Sequence, residues 1–287
     1  MSSPLFTARW TKDAIREAFH RVARELPPVV PHDPDVVVDV RFERGSATIG
    51  LALGVESLHR RGFERRTRAP LREDIAAGIA LLAEVDATKP LLDPFCGSAT
   101  LLAEAAAVAL RVPPRRGDVA DAIAQLPAFS EVDADRIVEE LRARRIVEHA
   151  PFFGYEADST QLPHARRHLE FNDLQDDVRV AVGRVPELSV PGEVPAGLLL
   201  TNPPWGRWLN HDVETAWDGL GRFAKSQLAG WKMAVLSGSE GLTRGLRMKA
   251  ERRYPLRIGS VDARLLLYQI RRYSDRQSPL EPDATAD

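Results

Sequence analysis

Apolar positions first recur at helical spacing at Ile15, Phe19, Val22 and Leu26, which predicts an amphipathic helix over 11–26. The prolines Pro27, Pro28, Pro31 and Pro34 end it. Two β-branched runs follow, 35–41 (DVVVDVR) and 46–53 (SATIGLAL), separated by Glu43-Arg44-Gly45 in the manner of a hairpin. Residues 1–56 thus read as a small α+β unit. From Pro70 onward the pattern changes. Helical stretches at 70–84, 101–110, 161–172 and 214–229 alternate with strand-like stretches at 90–95, 152–156, 178–182, 197–201 and 231–236. This alternation predicts an α/β fold, a mostly parallel sheet with helices on both faces. Residues 256–258 and 263–270 predict an antiparallel hairpin that closes it. A further helix is expected over 133–148, and from about residue 274 the chain is polar enough to expect disorder.

Length and composition narrow the class. The 287 residues suggest two domains at roughly 150 residues each, and 44% hydrophobic with 28% charged residues is an ordinary globular mix. The start, MSSPLFTARW, lacks a signal-peptide core, and no stretch reaches the roughly 18 apolar residues of a membrane span. A single cysteine, Cys96, excludes an internal disulfide and a CxxC metal site. A cytoplasmic protein is expected. The net charge of −2 conceals a division: residues 1–72 carry +4, 73–243 carry −10, 244–272 carry +7 and the tail −3. The basic charge is almost all arginine, 34 against 5 lysines, and the guanidinium fork suits phosphate as well as reflecting a GC-rich genome.

Two motifs carry chemistry. The first, Asp93-Pro94-Phe95-Cys96-Gly97-Ser98-Ala99-Thr100, is an apolar strand running through small residues into a helix. Small residues there let the backbone approach a ligand at the carboxyl end of a strand, though an ordinary strand-to-helix turn also favours Gly and Ser. It lacks the GK[ST] of a phosphate loop and the GxGxxG of a dinucleotide site. The second, Asn202-Pro203-Pro204-Trp205, interrupts the apolar strand 198–201. Two prolines stiffen the loop and remove two donors, so it presents acceptors. The Asn202 side-chain oxygen and the Pro203 carbonyl suit the two N–H bonds of a planar amine, with the Trp205 indole to stack on the ring. The plainer alternative is a rigid turn with Trp205 packed on the core.

Together these motifs resemble the class I S-adenosylmethionine-dependent RNA methyltransferases that carry a THUMP domain, among them guanine-N2 methyltransferases of rRNA and tRNA. Ser57-Leu58-His59-Arg60-Arg61-Gly62-Phe63 and Ala69-Pro70-Leu71-Arg72-Glu73 are similar to the segments that join the two domains of that family, and Arg257-Ile258-Gly259 with Arg264-Leu265-Leu266 to its closing hairpin. The resemblance covers about residues 9–270. It implies a Rossmann-like methyltransferase domain over 73–273, a basic connector over 57–72, and a partial THUMP-like RNA-binding unit over 1–56.

The resemblance further implies that S-adenosyl-L-methionine is held by Asp93, Pro94, Phe95, Cys96, Gly97, Ser98 and Thr100. Glu156 would accept the ribose hydroxyls, since two donors need a bidentate acceptor. Asn202, Pro203, Pro204 and Trp205 would receive the base. Arg60, Arg61, Arg65, Arg66 and Arg68, with the late cluster that includes Arg252 and Arg253, would hold RNA phosphates; otherwise they are solvated faces. No metal is implied. Three departures stand out. Ala99 replaces the family's second glycine, Arg184 occupies the region where an Asp usually binds the adenine amine, and the amino-terminal unit matches only the later half of THUMP. The last leaves room for a partner protein that supplies the missing RNA-binding surface.

Two alternatives remain open on sequence. Asn-Pro-Pro-aromatic also serves DNA adenine-N6 and protein glutamine-N5 methyltransferases. Ala99, Arg184 and the short amino terminus would equally suit an inactive RNA-binding or assembly protein. His164 and His168 have the spacing of two metal ligands on one helical turn, but without a third ligand they read as an exposed helix face. There is no GxSxG, so a serine nucleophile is excluded on pattern.

Overall fold

The computed structural model describes residues 4–22, 25–26, 28–30, 32, 34, 36–52, 71–114, 129, 133–190, 194–205 and 213–271. The chain divides into two compact units, one formed by Met1–Ser57 with Arg116–Ile137 and the other by Leu58–Arg115 with Val138–Asp287.

In the first unit, α1 spans Pro4–Val22 and so begins seven residues before the predicted helix. Phe6 and Trp10, one turn apart with ring centroids 6.1 Å from each other, pair on a different face of the helix from Ile15, Phe19 and Val22. Proline is tolerated in a first helical turn because its missing N–H has no partner there anyway. Strands β1 (Val37–Glu43) and β2 (Ser46–Ala52) form the predicted hairpin, with Glu43 opposite Ser46. Arg44 and Gly45 at its turn both take positive φ, 48° and 83°, the geometry that matches strand twist in a two-residue loop.

The second unit holds a seven-stranded sheet. Its elements in chain order, with α4 beginning in the first unit, are α2 (Glu73–Leu82), β3 (Leu91–Asp93), α3 (Thr100–Leu110), α4 (Ala134–Ala143), β4 (Phe152–Glu156), α5 (Leu162–Phe171), β5 (Val178–Val182), β6 (Leu198–Thr201), α6 (Val213–Gln227), β7 (Lys232–Ser237), α7 (Glu240–Thr243), β8 (Arg252–Ile258) and β9 (Val261–Gln269). The spatial order is β5-β4-β3-β6-β7-β9-β8. All pairs are parallel except those made by β9, which runs against both β7 and β8. This is the Rossmann-like α/β architecture expected from the alternation of elements.

Alternate residues of each central strand enter opposite layers. Leu91, Leu198, Leu200, Ala234 and Leu236 join Ala76, Ile79, Leu102, Ala105 and Leu169 of α2, α3 and α5 in one apolar cluster. Leu92, Leu199, Met233 and Val235 join Trp217, Leu220 and Phe223 of α6 in the other. Both β3 and β6 are buried along their whole length, which is why their leucines fill both faces and each ends in a buried polar residue, Asp93 or Thr201. The chain moves outward from β3 to β4 on one side and returns to β6 on the other. A topological switch point therefore lies between the carboxyl ends of β3 and β6, where ligands bind in open sheets of this kind. Among the described residues no helix is long and apolar enough to cross a membrane.

Candidate functional site: the crevice between β3 and β6

Each motif follows one of the two strands that flank the switch point. They meet through one buried contact: the Thr201 hydroxyl donates to Asp93 Oδ1 at 2.6 Å, across 108 positions of sequence. Thr201 and Asp93 are almost completely buried. Asp93 Oδ1 also accepts the Phe95 N–H at 3.0 Å, which folds the chain sharply after the strand. Burial pushes the Asp93 carboxyl up to about 7, a rise that these two hydrogen bonds only partly oppose.

The turn after Asp93 is held from several directions. The Cys96 N–H donates to the Tyr155 carbonyl at 2.9 Å, and the Gly97 N–H donates to Glu156 Oε2 at 3.0 Å. Glu156 Oε1 accepts the Asp158 N–H at 2.9 Å, so the carboxylate at the end of β4 lies directly against the small-residue turn. Pro94 is buried, Phe95 is half-buried, and Thr100 opens α3 with its hydroxyl 3.4 Å from that of Ser98. Gly97 has φ +54° and Ala99 φ +63°. A left-handed conformation costs a residue with a Cβ about 1–2 kcal/mol, so the position of Ala99 is one that a glycine would occupy without strain. Burial first, and then the nearby Asp93 and Glu156 charges, raise the Cys96 thiol well above its ordinary range. A thiol kept protonated in this way is a packing group and a poor nucleophile.

His168 is the residue that sequence reasoning misjudged. It is only 2% exposed rather than on an open helix face, and its Nδ1 lies 3.0 Å from the Ser98 carbonyl. A carbonyl only accepts, so Nδ1 carries the proton and braces the turn from α5. The signal was present in the sequence, since His168 shares the inward stripe of Leu162, Ala165 and Leu169. Among the described residues no group of three His, Cys, Asp or Glu side chains is placed to hold a metal. His168→Leu should destabilise the protein by about 1 kcal/mol in urea titration, the net worth of one such hydrogen bond. A stability equal to that of the parent would remove the bracing role.

On the β6 side, Asn202 is half-buried, yet its Oδ1 is fully enclosed and accepts no hydrogen bond among the described residues. An enclosed acceptor without a donor is costly unless a ligand supplies one. Pro203 is buried. The Pro204 carbonyl accepts the Trp217 indole N–H at 2.9 Å, which ties the loop to α6. Trp205 donates its indole N–H to the Leu236 carbonyl at 3.3 Å and packs on Gly238. A Cβ at Gly238 would fall 2.6 Å from Trp205 Cε3, so any larger residue there would displace the ring. Arg184 and Glu187, beyond β5, are both exposed, and the Glu187 N–H donates to the Arg184 carbonyl at 2.9 Å.

The predicted phosphate-holding residues divide. Arg60, Arg61, Arg65, Arg66 and Arg68 lie outside the described residues. Arg252 and Arg253 lie on the outermost strand, β8, and are exposed.

Comparison with known proteins agrees with this geometry. The family described as "RMKL-like, methyltransferase domain" matches residues 60–266. The ribosomal RNA large subunit methyltransferase K/L of Marinobacter nauticus is 31% identical over 294 residues, covering 97% of this chain and 40% of the relative. Its counterpart from Vibrio campbellii is 30% identical over 273 residues, covering 92% and 38%. The chain thus spans about two fifths of the length of these curated relatives. Among solved structures, a possible methylase from Clostridium difficile 630 superposes with a TM-score of 0.77 at 24% identity, covering 94% of this chain and 69% of that one. SMU.472, solved as a complex with SAH, gives 0.75 at 24% identity, covering 91% and 69%. These likenesses establish a shared fold. With the matched segment spanning both motifs and the strands that carry them, the chain belongs to the RMKL-like methyltransferase domain family.

Proposed function

We propose that this protein transfers a methyl group from S-adenosyl-L-methionine to an exocyclic amine of an RNA base, with guanine N2 of large-subunit rRNA as the favoured target. The observation that carries the reading is the enclosed Oδ1 of Asn202, which accepts no hydrogen bond among the described residues, set at the switch point beside the turn braced by Glu156. The names of the relatives favour ribosomal RNA.

The residues of the turn fit the cofactor. Glu156 combines two carboxylate oxygens with a position at the strand end, and each oxygen retains a lone pair beyond the one used by Gly97 or Asp158. Asp93, Pro94, Phe95, Cys96, Gly97, Ser98 and Thr100 would hold the methionine and ribose part. When bound, S-adenosylmethionine supplies an activated methyl group on a sulfonium, which needs no metal and no covalent enzyme intermediate.

The chain's own contribution is orientation. Asn202 Oδ1 and the Pro203 carbonyl would accept the two N–H bonds of the amine. This favours a more tetrahedral nitrogen and directs its lone pair, which is otherwise delocalised into the ring. Pro203 and Pro204 keep these acceptors in place at little entropic cost. Trp205, anchored at Leu236 and Gly238, would stack on the base; such stacking is worth about 1–3 kcal/mol and offsets part of the cost of extruding the base from its helix.

In this proposal residues 1–56 form a partial THUMP-like RNA-binding unit, 57–72 the basic connector and 73–273 the catalytic domain; the tail expected over 274–287 lies outside the described residues. A partner protein would supply the missing RNA-binding surface. The purified protein with labelled S-adenosylmethionine should modify rRNA fragments in preference to tRNA, DNA or ribosomal protein, at a guanine identified by nucleoside mass spectrometry. Absence of a thermal shift with S-adenosylmethionine would instead favour an RNA-binding or assembly role, to which the strained Ala99 and the exposed Arg184 also point.

A further inference from the structure

The strand register carries the β8–β9 hairpin beyond the edge of the sheet that bears the acceptor loop. Ser237, the last residue of β7, lies opposite Arg264 of β9, and Arg264 lies opposite Pro255 of β8. Three more pairs follow, ending at Ile258 opposite Val261. At about 3.3 Å per residue the hairpin therefore projects roughly 10 Å past Ser237. Strand alternation then sorts its side chains. Tyr254, Leu256 and Ile258 pack in the layer beneath α2 and α3, so Arg253 and Arg257 lie on the opposite face. Arg264, between the inward residues Ala263 and Leu265, shares that second face.

One carboxylate collects the arginines of this face. Arg264 Nη1 donates to Glu240 Oε1, and this contact, followed by the charges of Arg244 and Arg253, holds the Glu240 carboxyl below its usual range. With Arg264 in contact and Arg244 and Arg253 within electrostatic reach, this one exposed carboxylate leaves an excess of positive charge. Glu240 also lies two residues after Gly238, the residue on which the Trp205 ring rests. Arg252 is placed differently: it points to the other face and sits 3.8 Å from Glu84, which also binds Lys232 at the opposite end of β7.

We infer that Arg244, Arg253 and Arg264 form the surface that grips the RNA phosphates adjoining the target nucleotide, with Glu240 as their counter-ion in the free protein. The inference rests on the RNA reading above. The planar fork of arginine binds phosphate oxygens in pairs, and an incoming phosphate replaces the single Glu240 carboxylate. A role in holding an acidic protein segment is the competing outcome.

Fluorescence anisotropy with a labelled, guanine-containing RNA stem–loop tests it across a salt series. Arg253→Gln combined with Arg264→Gln should weaken binding about tenfold and lower the slope of log Kd against log salt by between one and two. Glu240→Gln should tighten binding, which a merely structural role for the cluster does not produce. Arg253→Gln should cost more than Arg252→Gln, and the equal charge change Arg111→Gln, at the far end of α3, should leave binding unchanged. Parental affinity and slope in the double variant, with the parent binding well, would overturn the placement and leave the RNA reading standing. Displacement of the RNA by polyglutamate at equal charge concentration would overturn it in favour of an acidic partner. A parent that binds no RNA would sink both.

Discussion

Asn202→Ala is expected to reduce methyl transfer by about 10²–10³-fold while S-adenosylmethionine affinity stays within twofold of the parent. The size follows from the role. Preorganised polar groups aimed at a reacting centre lose that much when one is removed, and misplacement by about 1 Å alone costs on the order of 10². The selectivity follows from geometry. Asn202 stands on the loop after β6, whereas the cofactor contacts assigned here lie on the turn after β3 and at Glu156. Removing the amide also removes an enclosed oxygen that no donor among the described residues satisfies, so the folded state should lose nothing and even gain slightly. Single-turnover methylation beside titration calorimetry separates the two quantities. Equal loss of transfer and of cofactor affinity would show that Asn202 supports the turn rather than the amine.

The second large effect concerns Asp93. Its carboxyl is lifted from 3.8 to about 7, chiefly by burial, with the nearby Glu156 charge adding to the rise. Between those two values the folded chain keeps a proton that the unfolded chain releases. Stability therefore falls as pH rises through this window and levels off above 7, the reverse of an ordinary paired carboxylate. The difference between the two values is worth about 4 kcal/mol. Asp93→Asn cannot ionise but retains an oxygen for the Thr201 hydroxyl and the Phe95 N–H. In urea melts the variant should gain on the parent by a few kcal/mol from pH 5 to pH 8. A difference that is constant over that range would mean that Asp93 titrates as an exposed carboxylate does. The Thr201 contact makes the result bear on both motifs, because the acceptor loop begins at the next residue.

The pattern of elements was legible wherever a strand or helix was buried on a consistent side. The leucine runs of β3 and β6 are short and flanked by proline, as buried strands of a covered sheet are, and 152–156 and 178–182 match the observed strands residue for residue. Two things were misjudged for physical reasons. The first helix begins at Pro4, and the reading missed its first turns because the aromatic pair Phe6 and Trp10 lies off the stripe of Ile15, Phe19 and Val22 from which the helix was read. His168 was read as part of an exposed helix face because no third metal ligand accompanies it and His164, but the helical period turns it inward onto the Ser98 carbonyl. Gly238 carried no readable signal, since its need for a hydrogen in place of Cβ arises only from Trp205, 33 positions earlier in the chain.

The sequence by itself determined the chemistry on offer: a small-residue turn after one strand, a rigid acceptor loop after another, and a surplus of arginine near both ends. Local covalent structure is enough for that, because proline stiffness, glycine freedom and side-chain donors do not depend on distant contacts. Which of these groups work together was decided by tertiary structure alone. Only parallel pairing of β3 with β6 brings Thr201 onto Asp93 across 108 residues, and only the antiparallel register of β7, β9 and β8 brings Arg264 and Arg253 to Glu240, which Arg244 follows in sequence by four residues. The reason is that register converts sequence position into location, and no property of a single segment specifies its partner strand.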